Sequence, residues 1–118
     1  MQLRIEHSGA VVVLKCSGRM VAGNGLKTLH RMATAQHASQ LIVDLAEVPV
    51  VDAAGLGKLL HIREWCAAQG ICLTLVHPTS HVREVLAVTA LDSVLAVRSP
   101  EDEAEPDLLL RQYVCAES

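Results

Sequence analysis

Phenylalanine is absent from the 118 residues, and one Trp and one Tyr are the whole aromatic complement. A core built from this chain must be aliphatic, and the 51% apolar content, drawn mostly from Val, Leu and Ala, supplies it. Two aromatic residues leave little to stack on bases. A net charge of -3 with scattered Lys and Arg offers no footprint for a phosphate backbone, so nucleic acid is not an expected partner. No apolar run approaches the roughly eighteen residues of a membrane span. Met1 to Glu6 has no basic stretch leading into a hydrophobic one. These two absences predict no membrane insertion and a cytoplasmic protein.

The usual spacings of catalytic and ligand-binding loops are missing too. No G-x-x-x-x-G-K-[ST], G-x-G-x-x-G or G-x-S-x-G occurs, which speaks against a phosphate-cradling loop or a nucleophile elbow. Cys16, Cys66, Cys72 and Cys115 contain no C-x₂-C pair, and their irregular spacing is that of reduced thiols acting as small hydrophobes. His77 and His81 have an i, i+4 spacing, but Pro78 and a strand end between them oppose a continuous helix. His30, His37 and His61 have no carboxylate at motif spacing. The expectation is a chain with no catalytic residues, no metal and no cofactor, and therefore not an enzyme.

What is present is an alternation of short aliphatic runs with amphipathic ones. Leu3–His7 and Ala10–Ser17 read as two strands turning at Ser8-Gly9. Asn24–His37 carries Leu26, Leu29 and Met32 or Ala33 at helical spacing, with Asn24 as the expected N-cap. Leu41–Leu45 is a strand, Val48–Val51 a second strand-like piece, and Ala53–Ala68 a helix capped by Gly70. Ile71–Val76 is apolar enough for a strand covered on both faces, and His77-Pro78 ends it. Thr79–Val88 reads as a helix, Leu91-Asp92 as a turn and Val94–Val97 as a last strand. The predicted class is α/β: a mixed sheet of four to five strands, opened by an antiparallel hairpin and continued by parallel β-α crossovers, with helices packed on it.

The length suits one domain, placed over residues 1–98, followed by a C-terminal tail, 99–118. Glu101, Asp102, Glu103, Glu105 and Asp107 make the tail acidic, Pro106 interrupts it, and Leu108–Val114 is a candidate docked helix. In the second helix Leu56, Leu59, Ile62 and Cys66 form one stripe, while Lys58, His61 and Trp65 fall opposite. Trp65 is either packed under a neighbouring segment or part of an interface.

The most specific stretch is Leu41-Ile-Val-Asp44-Leu45-Ala-Glu-Val48-Pro-Val-Val51-Asp52-Ala53-Ala54-Gly55-Leu56-Gly57. Asp52 is placed to cap a helix by accepting from a backbone N–H and by setting its charge at the positive helix end. Gly55 and Gly57 cost helix propensity in the first turn, so either the strand ends or a docking partner must come close to the backbone there. The stretch resembles the signature of STAS domains: an apolar strand ending in Asp-Leu, a spacer, then Asp-Ser-Ser-Gly-Leu-Gly opening a helix. Gly18 with its loop, Ile71–Val76 and Thr89-Ala90-Leu91-Asp92 support the match over roughly residues 3–98.

The resemblance implies an anti-sigma factor antagonist, a bacterial module of signal transduction and transcription regulation. Its partner would be an anti-sigma factor of the GHKL serine kinase type. In such antagonists the second Ser of the motif is phosphorylated by that partner, and here the position is Ala54, so the hydroxyl is missing. The implied contact surface is Arg19, Gly23, Asn24, Asp52, Ala53, Ala54, Gly55, Gly57 and Lys58. An accessory subunit of a phospholipid-transporting ABC system and a scaffold of a stress-signalling complex are alternatives within the same family. Ala53, where ABC-associated members tend to carry Thr, counts against the first of these. Oligomeric state is left open, a homodimer included.

Overall fold

Gln2–Ser8 (β1) and Val11–Ser17 (β2) pair antiparallel in full register, from Gln2 opposite Ser17 to Ser8 opposite Val11. Gly9, at φ 62°, makes the reversal that a residue with a Cβ adopts only at a cost. The chain then alternates: α1 Asn24–Thr34, β3 Gln40–Glu47, α2 Ala53–Gln69, β4 Cys72–Val76, α3 Ser80–Val88, a 3-10 turn Leu91–Ser93, and β5 Ala96–Arg98. The computed structural model describes residues 1–98, and the acidic tail and the Leu108–Val114 segment lie outside the described residues.

Strand order in the sheet equals strand order in the sequence, and β2 through β5 are all parallel. Parallel crossovers are right-handed, so a sheet that grows in one direction places every connecting helix on the same face. The packing agrees. Leu26, Leu29 and Ala33 of α1, Leu56, Leu59, Ile62 and Cys66 of α2, and Val82 and Leu86 of α3 share one core with Val12, Leu14, Cys16, Leu41, Val43, Leu45 and Leu75. Ile42 and Val76, pointing the other way, form a separate cluster with Val11 and Val13. β4 is buried on both faces, as its composition led us to expect, with Leu75 in the helix-side core and Thr74 and Val76 on the other side, and among the described residues its helical cover lies on one side.

Three further expectations are revised. α1 is preceded by Gly23, whose φ of 143° only glycine adopts freely, with no side-chain cap, so Asn24 is the first helical residue rather than the N-cap. Val48–Val51 is not a strand, because only Val51 bridges, to Met20, and the segment is used as a loop. Cys16 and Cys66 are free and buried as expected, but Cys72 is disulfide-bonded.

α2 follows its sequence pattern closely. Asp52 caps its start, Gly70 at φ 74° ends it by donating to the Ala67 and Cys66 carbonyls, and the buried stripe is the one read from the spacing. Arg63 Nε donates to the Val94 carbonyl at 2.8 Å, tying α2 to the approach of β5. No helix of the described residues is long and apolar enough to cross a membrane.

Candidate functional site

The carboxyl edge of the parallel strands brings together the β2–α1 loop and the start of α2. Gly18 N–H donates to the Glu47 carbonyl at 2.9 Å, Met20 N–H to Val50 at 3.0 Å, and Asp52 N–H to the Met20 carbonyl at 3.3 Å. The two loops thus continue the β2–β3 ladder beyond the strands, after a register shift between Lys15 and Ser17 has turned β2.

Asp52 is the junction. Its Oδ1 accepts from Gly55 N–H at 2.8 Å, the local cap read from the sequence, and its Oδ2 accepts from Ala22 N–H at 3.1 Å, thirty residues away. One carboxylate therefore satisfies an orphan donor of α2 and holds the neighbouring loop against it. The Gly55 bond, and after it the Ala22 bond, hold the Asp52 carboxyl below its ordinary value of 3.8. A lowered value means that the anion's contribution is complete above 3.8 and is lost as the pH falls through the folded value. The acid limb of stability is where this staple is released.

Gly55 and Gly57 separate into two cases. A Cβ on Gly55 would collide with the Met20 carbonyl oxygen and come within 2.7 Å of Val51 Cγ2, so glycine is what lets the loop lie on the helix. A Cβ on Gly57 would meet nothing within 4 Å. Close packing accounts for the first and not for the second.

Arg19, Asn24, Ala53 and Ala54 are exposed, as is Gly23 at the foot of α1. Asp52, Gly57 and Lys58 are half-buried, and Gly55 is buried beneath them. The fold thus gathers two segments, 19–24 and 52–58, at one edge. Ala53 and Ala54 face solvent in the first turn of α2, flanked by the Asp52-anchored loop. Thr79, from the α3 side, donates its hydroxyl to the Val48 carbonyl at 2.8 Å and fixes the β3–α2 connection from behind. No motif announced that bond; only its position just before α3 could have hinted at it.

Other sequence candidates lie elsewhere. His30 Nδ1 is sealed from solvent without a hydrogen-bond partner, and burial, then Lys58 and His61, push its pKa down, so the ring is neutral at pH 7. His77 precedes α3 at φ 56°, and His81 lies inside it, so the i, i+4 pair does not share a helix. Among the described residues no three His, Cys, Asp or Glu side chains gather as a metal site would require. Trp65 is half-buried, packs against the core, and lines an open cleft with Ala10, His37, Ser39 and Ile71.

A family model described as the STAS domain matches residues 2–104. No curated protein matches the chain significantly by sequence. Among solved structures, a putative anti-sigma factor antagonist from Thermotoga maritima superposes with a TM-score of 0.79 at 16% identity, over 94% of this chain and 93% of that one. The unphosphorylated anti-sigma factor antagonist SpoIIAA, a Bacillus cell fate determinant, gives 0.73 at 17% identity, over 97% and 100%. A sulfate transporter family protein from Wolinella succinogenes gives 0.72 at 20% identity, over 87% and 88%. At these identities the structural likeness shows the fold, with its five-stranded mixed sheet and three helices.

Proposed function

The chain belongs to the STAS domain family, and on that premise we propose that it is a non-enzymatic, antagonist-like module that binds an anti-sigma factor of the GHKL serine kinase type. By occupying that partner it frees a sigma factor and so regulates transcription in the bacterial cytoplasm. Its contact surface is the edge built from Arg19, Gly23, Asn24, Ala53, Ala54, Gly57 and Lys58, with Asp52 and Gly55 setting the backbone beneath. The observation that supports this most is the first turn of α2: Ala53 and Ala54 are exposed on a helix start fixed by a doubly bonded carboxylate and a sterically obligatory glycine. Such a surface changes little on binding, which keeps the ordering cost low. Lacking a hydroxyl at position 54, the chain is not switched off there by phosphorylation.

The test is titration calorimetry of the parent, Ala54→Asp and Ala54→Ser against a serine-kinase-type anti-sigma factor, with thermal melts alongside. A carboxylate at the positive end of a helix is tolerated, so the melts should coincide. A docked partner would bury that charge without a counter-ion, at about 3 kcal/mol or more, which is roughly a hundredfold weaker binding. Ala54→Ser should bind nearly as the parent does, since a hydroxyl can turn toward an acceptor or water. Equal affinities for Ala54→Asp and the parent would remove the start of α2 from the contact surface.

A further inference from the structure

β1 closes the sheet on one side, and among the described residues no strand pairs with its outer edge. Such an edge offers a row of backbone donors and acceptors to another strand. Most devices that blunt an edge are absent here. β1 is seven residues long, contains no proline and runs in unbroken register with β2. Leu3 and Ile5 are half-buried against the helix-side core. Alternation sends Gln2, Arg4, Glu6 and Ser8 to the other side, where all four are exposed. The two charges among them, Arg4 and Glu6, are of opposite sign and do not repel a copy of the same strand.

Within one chain those charges are poorly matched. Arg4 lies directly opposite Lys15, a like-charge pair that weakens the β1–β2 ladder. Glu6 is taken by Lys15 at 3.4 Å, and Arg4 has no carboxylate partner among the described residues. An antiparallel copy of β1 centred on Ile5 supplies one. In that register Gln2 faces Ser8, Leu3 faces His7, Arg4 faces Glu6 and Ile5 faces itself, so all seven residues are paired. Moving the centre to Arg4 or to Glu6 sets like charges on each other and shortens the overlap.

We propose that the chain forms a symmetric dimer through β1, with Arg4 of each copy against Glu6 of the other and the two five-stranded sheets joined into one. The two-fold axis stands perpendicular to the sheet, because directly opposed residues share a face, so the helices of both copies stay on the same side. The axis also turns the second copy end for end. Segments 19–24 and 52–58 of the two copies then lie at opposite ends of the joined sheet. The inference does not rest on the proposed anti-sigma partner.

The test is sedimentation velocity of the full chain across a dilution series, with Arg4→Glu and Glu6→Arg beside the parent. The parent should sediment as a dimer that dissociates on dilution. Each variant alone sets like charges opposite each other twice and should raise the Kd about tenfold or more. An equimolar mixture of the two variants restores both opposite-charge pairs, so it should form a heterodimer about as tight as the parent dimer. Amide hydrogen exchange gives a second reading without substitution: the outward amides of β1 should be protected in proportion to the dimer fraction. A parent that stays monomeric at millimolar concentration would overturn the proposal. So would a dimer indifferent to both substitutions, or β1 amides that exchange freely where the parent is dimeric.

Discussion

On β3, Leu41, Val43 and Leu45 look toward three helices, while Gln40, Ile42 and Asp44 look the other way, and β2 and β4 repeat the split. The first set joins an aliphatic core that runs through α1, α2 and α3. The second joins a cluster of two buried residues edged by Val11 and Val13. Period-2 alternation explains why neighbours part company, but it does not say which face receives the helices. That comes from strand order combined with right-handed crossovers, which leave no choice of side.

The contrast can be broken by truncating one side chain on each face. Leu59 is fully buried between α2 and the sheet, and Leu59→Ala should cost about 3 kcal/mol in urea unfolding with an unchanged slope. Val13 on the other face is half-buried, and Val13→Ala should cost about 1 kcal/mol or less. Equal costs would mean that the helix-free face is packed as tightly as the core.

The same inside-outside contrast recurs within the first turns of α2, at smaller scale. Gly55→Ala drives a methyl onto the Met20 carbonyl and should destabilise by about 1–3 kcal/mol, with the loop around Ala22 displaced. Gly57→Ala meets open space and should stabilise by about 0.5–1 kcal/mol through helix propensity. A neutral Gly55→Ala would show that the loop is not held against the helix.

The smallest effect is expected from the thiols on the helix side. Burial, and after it the Asp44 carboxylate, pushes Cys16 up to about 12, and burial pushes Cys66 up to about 11. For a group whose folded value is raised, the contribution is complete below the unfolded value of 9.0 and is lost as the pH climbs toward those figures. Iodoacetamide should therefore modify both thiols below pH 9.0 no faster than the native chain opens. Rapid labelling of either would show that water reaches the core face.

Much of the architecture was legible because its signals are short in sequence. The stripe Leu56, Leu59, Ile62 and Cys66 needs only a 3.6-residue period, and Gly70 needs only the local demand for a left-handed cap. Where reading failed, a local signal competed with a distant one. Val48–Val51 has the aliphatic composition of a strand, but Val48 bonds to Leu45 and Thr79, and only Val50 and Val51 meet the Met20 loop, which makes one bridge rather than a strand. Asn24 is a better cap by type than Gly23, yet the chain needs φ 143° at that turn, and glycine takes the place. Ile71–Val76 is apolar but for Thr74, which says that both faces are covered and not by what.

The sequence by itself determined the elements, their order and the Asp52 cap on Gly55, because each rests on contacts within about four residues. Only the tertiary structure decided that the same carboxylate also holds Ala22, that a Cβ lacks room at Gly55 but not at Gly57, and that the three helices of the described residues share one side. These depend on segments some thirty residues apart meeting at fixed distance, and the position of the Met20 carbonyl over α2 is set by packing that no local pattern encodes.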